Sequence, residues 1–148
     1  MAFVLDTTAA AHGIQLAVAP VFLLTAVSGM IGAVAGRLAR IIDRARTVED
    51  RARASADEEF LRRAAVELTE LRTRGRLANG CIALLTTCGF LIGLTIIALF
   101  VGETTSFQAN RFAIGSFLLG VCAFLAALLC FLAETVIATR LLNFHMLR

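Results

Sequence analysis

Lysine is absent from this chain, proline occurs once, and charge is scarce outside one stretch. All fourteen basic residues are arginine; eleven of them lie between Arg37 and Arg76, together with eight of the eleven acids. The charge-poor remainder excludes an ordinary soluble domain. Apolar residues make up 59% of the 148 and the mean hydropathy is +0.84, both beyond the usual soluble range. A bilayer is the solvent this composition implies. The arginine-rich middle is mixed in sign, net +3, so it is no polycationic tail. Interleaved acids and the lack of any recognition motif make the pI of about 9.0 a matter of membrane topology, and nucleic acid is not expected as a partner.

Catalytic patterns are also missing. No Ser/His/Asp set, phosphate-cradling glycine loop or paired catalytic carboxylates can be assembled from the residues present, so an enzyme is not expected. Cys81, Cys88, Cys122 and Cys130 sit inside apolar runs and form no CxxC pair. They read as small buried hydrophobes, with one disulfide conceivable and neither a metal site nor a cofactor expected. His12 and His145 flank opposite ends and read as interfacial bystanders. Residues 1–13 hold Asp6 and no basic residue, unlike the positive start of a cleavable signal peptide, and are expected to stay attached.

Three apolar runs remain. Ile14 to Gly36 is long enough to cross a hydrocarbon core of about 30 Å at 1.5 Å per residue, and Pro20 falls in the second turn of that span, where a missing amide costs least or introduces a kink. Leu77 to Gly102 and Phe112 to Thr139 are the other spans, joined by the short Glu103 to Arg111 connection, and only Glu134 puts a charge inside them. Arginines concentrate on cytoplasmic loops. Residues 37–76 and 140–148 are therefore expected inside, with residues 1–13 and 103–111 outside.

The charged middle has a period of its own. Leu38, Ile41, Ala45, Val48 and Ala52, then Leu61, Ala64, Leu68, Leu71, Gly75 and Ala78, step by threes and fours, the pattern of helices meeting along a narrow seam. Ser55 to Glu58 fits a capping box that would start a second helix and put the turn near residues 54–56. The fold expected is thus all-α, with three transmembrane helices, the first two extended unbroken into a cytoplasmic antiparallel coiled-coil hairpin. A turn near Ala54 pairs Leu38 with Leu71, Ile41 with Leu68, Ala45 with Ala64 and Val48 with Leu61, and places Arg44 opposite Glu67 as a flanking ion pair.

Small residues at steps of four give each span a close-packing face: Ser28, Gly32 and Gly36; Gly89 and Gly93; Ser116 and Gly120. These faces serve packing within the bundle or contacts between copies, and a homo-oligomer is expected. Glu134 is the main site candidate, since an ionisable residue deep in an apolar run is expensive and often functional. It lies at the depth where Arg37 leaves the first span. One reading is a clamp to Arg37 or Arg40 that relieves repulsion between Arg37 and Arg74; the other is a proton or cation site. Arg37, Arg74 and Arg76 are further candidates for anionic head groups.

AVAPVFLLTAVSGMIGAVAGRLARIIDRAR, Ala17 to Arg46, and the later LLCFLAETVIATR resemble the bacterial small membrane proteins of the domain-of-unknown-function 2721 family. The likeness rests on Pro20, Arg37, Arg40, Asp43, Arg44, Arg46 and Glu134. It implies a bacterial inner-membrane location and no activity. Together these readings predict a non-enzymatic, self-associating structural or regulatory component. The alternatives are an oligomeric ion channel or a proton- or cation-linked transport component using Glu134, and a subunit binding a cytoplasmic protein through the hairpin. A pore has little to line it, because Gln15, Thr25, Ser28, Thr86 and Thr87 form no polar stripe.

Overall fold

A computed structural model describes the backbone of residues 7–104 and 109–145, and the side chains of residues 14–102 and 111–139. His12, His145, Arg140, Arg148 and the expected outer connection around residues 105–108 lie outside the described side chains. Three α-helices account for the described chain: α1 (Thr7–Ala54), α2 (Glu58–Thr104) and α3 (Ala109–His145), with no strand among the described residues. Each contains a stretch apolar and long enough to cross a membrane, with window mean hydropathies of 2.0, 2.4 and 2.6 in chain order. Bilayer crossing favours such helices because every backbone polar group is satisfied within the segment.

Neither apolar-to-charged transition interrupts a helix, since no proline or turn cluster stands at Gly36 or Gly75. Pro20, expected in a second turn, lies well inside α1 because the helix starts at Thr7. It is buried, and it removes the amide that the Leu16 carbonyl would otherwise accept.

Burial follows a seven-residue period along each helix. On α1 it falls on Pro20, Val27, Val34, Ile41 and Val48; on α2 on two stripes, Ala64, Leu71, Ala78, Leu85 and Ile92 beside Cys81, Cys88 and Thr95. On α3 the stripe is Ala113, Gly120, Ala127 and Glu134. The two α2 stripes lie three residues apart and so adjoin, giving α2 one broader buried face.

Contacts divide the chain into two compact units, Met1–Met30 with Leu84–Leu125, and Ile31–Ala83 with Ala126–Arg148. In the first unit, a Cβ at Gly89 would stand 3.8 Å from Leu24 Cδ2, and Thr95 Oγ1 lies 2.8 Å from Ser116 Oγ. In the second, α1 and α2 run antiparallel through the Ser55–Asp57 connection, and a Cβ at Gly75 would meet Ile41 and Leu38 at 3.9 and 4.0 Å.

The start of α2 differs from the expected capping box. Ser55 Oγ accepts the Asp57 amide at 3.2 Å, and Asp57 Oδ1 accepts the Glu59 amide at 3.0 Å. Asp57 is therefore the N-cap, where a carboxylate also faces the positive end of the helix. The connection, residues 55–57, centres on Ala56, inside the expected 54–56 turn. Ile41, Val48, Ala64, Leu71 and Ala78 of the expected seam are buried, Leu38, Ala45 and Leu68 are half-buried, and Leu61 is 39% exposed.

Candidate functional site

Among the described residues, one carboxylate is buried, and it lies in the second unit. Glu134 is 2% exposed, on an α3 stripe whose preceding members, Ala127 and Gly120, have almost no side chain to hold neighbours away. Both of its oxygens are occupied. Arg37 Nη2 from α1 lies 2.6 Å from Oε2, and Arg74 from α2 donates to Oε1 through Nε at 3.1 Å and Nη2 at 2.9 Å. Two cations converge on one anion because the antiparallel α1 and α2 bring Arg37 and Arg74 to the same level.

An aromatic face completes the arrangement. The Arg37 Cζ sits 5.1 Å from the centroid of the Phe131 ring, one turn before Glu134 on α3. Ring and carboxylate thus hold one guanidinium from two directions, a cation-π contact worth about 0.5–2 kcal/mol beside a charge-assisted hydrogen bond. Nearby, the Cys81 thiol donates to the Ala127 carbonyl at 3.2 Å, a second polar tie between α2 and α3. Every buried side-chain nitrogen and oxygen among the described residues has a partner.

The energetics of such a cluster are asymmetric. Taking charges out of water costs several kcal/mol each, and pairing roughly repays it; removing one member leaves the others uncompensated. Two guanidinium groups on one carboxylate leave a net positive charge, and the side chains of Arg37 and Arg74 are 27% and 21% exposed. With both oxygens engaged, the carboxylate is a helix-joining group. The wider triad is a cationic edge.

The other predicted residues separate by environment. Arg40 is exposed and makes no ion pair among the described residues. Arg44 meets Glu67 at 2.7 Å, with side chains 53% and 39% exposed, so the pair fixes alignment and contributes about 0–1 kcal/mol. Of the three head-group candidates, Arg37 and Arg74 are engaged by Glu134 and Arg76 is exposed. Gly89 and Gly120 stand against neighbouring side chains, and Ser116 is hydrogen-bonded to Thr95. A methyl group at Gly93 would meet nothing within 4 Å, and Ser28, Gly32 and Gly36 face outward, the two glycines with open space beside them. All four cysteines are free thiols.

Sequence reasoning missed two members of the site. Phe131 carried a signal, since a residue three before Glu134 shares its helix face. Arg74 was read as a like-charged neighbour of Arg37 and a head-group candidate but not as a bonding partner of Glu134, because the sharing of one carboxylate by two helices depends on where a third helix lies.

The model of a family described as protein of unknown function (DUF2721) matches residues 17–144. No curated protein and no solved structure matches the chain.

Proposed function

The chain belongs to the DUF2721 family of proteins of unknown function, and from that premise we propose a non-enzymatic, self-associating structural or regulatory component of a bacterial inner membrane. The observation that carries this reading is the occupancy of Glu134: both oxygens of the acid most suited to moving an ion are bonded to arginines of the same chain. Its charge holds α3 against α1 and α2. In this reading α1 and α2 continue past the bilayer as an antiparallel coiled coil on the cytoplasmic side, since that segment holds eleven of the fourteen arginines and arginine stays inside. The N-terminus is outside and the C-terminus inside.

Self-association is supported by the outward face of α1. Between Thr25 and Ala39 every exposed residue is small: Thr25, Ala26, Ser28, Gly29, Gly32, Ala33, Ala35, Gly36 and Ala39. The outward faces of α2 and α3 instead carry Phe90, Ile97, Leu118, Leu125 and Leu129, each more than half exposed. Large side chains suit lipid tails, whereas a small-residue face lets another helix approach closely. Native mass spectrometry of the detergent-extracted protein reads copy number directly. More than one copy is expected, falling to one when Gly32 and Gly36 are both replaced by Leu; a strictly single wild-type copy contradicts self-association. Conductance in proteoliposomes, abolished by Glu134→Gln, would favour the ion-pathway alternative.

A further inference from the structure

The arginines are unevenly distributed along the charged segment. Residues 37–40 and 72–76, where α1 and α2 leave their apolar stretches, hold five arginines and no acid; residues 41–71 hold six arginines and eight acids. Arg37 and Arg74 share Glu134, and Arg72 reaches Glu49 of the mixed stretch at 4.0 Å. Arg40 and Arg76 make no ion pair among the described residues, while residues 41–71 are net negative. A ligand drawn to this segment by charge is an anion, and it belongs at the end where the apolar helices begin.

One flank is shaped to receive it. Arg37 and Arg40 are three residues apart on α1, which makes them surface neighbours with Cβ atoms about 5–6 Å apart. Arg37 is already oriented, its Nη2 on Glu134 and its guanidinium over Phe131, and the rest of its five N–H donors stay available on a side chain 27% exposed. Arg40 is exposed and unpaired among the described residues. On the apolar side, Ala33 and Gly36 are exposed, and Gly36 has no heavy atom within 4 Å of a methyl position. No bulky side chain of this flank blocks an approach along α1. Planar guanidinium groups bind phosphate oxygens with matched geometry.

We propose that Arg37 and Arg40 bind the phosphate of an anionic phospholipid headgroup, with Glu134 and Phe131 as the positioning residues that hold Arg37 in place. The proposal rests on the reading that the apolar parts of the helices lie in a bilayer, which puts this flank at headgroup level. The acid-rich far end of the segment repels the same surface and is not part of the site.

The test uses the full chain in vesicles of equimolar phosphatidylcholine and phosphatidylglycerol, with native mass spectrometry reading which phospholipid stays bound on release. Wild type is expected to retain phosphatidylglycerol preferentially, and Arg40→Gln to lower that preference about fivefold, the effect of one basic residue near an anionic leaflet. Arg51→Gln, at the far end, is expected to leave it unchanged. Equal preference in Arg40→Gln and Arg51→Gln overturns the proposal. Displacement of the lipid by excess inorganic phosphate would assign the site to free phosphate and overturn the lipid assignment. Carbonate extraction of the same vesicles separates the two readings: a chain that resists extraction without selecting lipid loses the site and keeps the span, whereas an extracted chain loses both.

Discussion

Two buried hydroxyl groups, Thr95 and Ser116, show what a polar side chain contributes in these helices. Their oxygens are 2.8 Å apart, Thr95 Oγ1 also donates to the Leu91 carbonyl at 2.9 Å, and Ser116 Oγ to the Ala113 carbonyl at 3.1 Å. Two hydroxyl hydrogens serve three contacts, so one contact is always without a proton. Thr95→Val keeps the shape and leaves Ser116 its backbone acceptor, and the expected cost is about 1 kcal/mol, typical of an interhelical hydrogen bond in a membrane protein. Unfolding in detergent checks it; an unchanged stability contradicts the contact. Ser116 was legible as a small packing residue but not as a hydrogen-bonding one, because its partner depends on the relative height of two helices. Glu134 was legible for a different reason: a lone charge in an apolar run needs a counter-charge, and counting turns put Arg37 at its depth. Arg40, the other partner considered, lies farther round α1 and stays exposed.

Helix identity and length were readable because apolar runs of bilayer length have few alternatives. The level at which helices meet was readable only to within a turn. The seam period of α1 and α2 appears in the sequence, yet the alignment hung on which residue caps α2. Both Ser55 and Asp57 are able caps; Asp57 is the one used, which centres the connection on Ala56, and Leu61 is turned outward. Glycine roles divide the same way. A methyl at Gly120 would stand 3.1 Å from Ile92 Cδ1 and 3.4 Å from Leu91 Cβ, whereas one at Gly93 would meet nothing within 4 Å. Gly120→Ala is therefore expected to destabilise by about 1–3 kcal/mol through overpacking, and Gly93→Ala to be neutral or mildly stabilising. Parallel thermal unfolding of the two variants checks the contrast, and equal effects contradict the close approach of α3 to α2.

At the scale of the molecule, a chain rich in apolar residues has, among its described residues, three helices able to span a membrane and one buried acid. The central claim is that Glu134 joins three helices through Arg37 and Arg74. Unfolding stability in detergent tests it most directly, comparing Glu134→Gln with the triple variant Arg37→Leu/Arg74→Leu/Glu134→Leu. Glu134→Gln leaves two guanidinium groups without their counter-charge and is expected to cost about 3 kcal/mol, the low end for a broken buried pair because both arginines are partly exposed. The triple variant removes the charges together and is expected to lie nearer wild type than Glu134→Gln does. A wild-type stability for Glu134→Gln would contradict the claim.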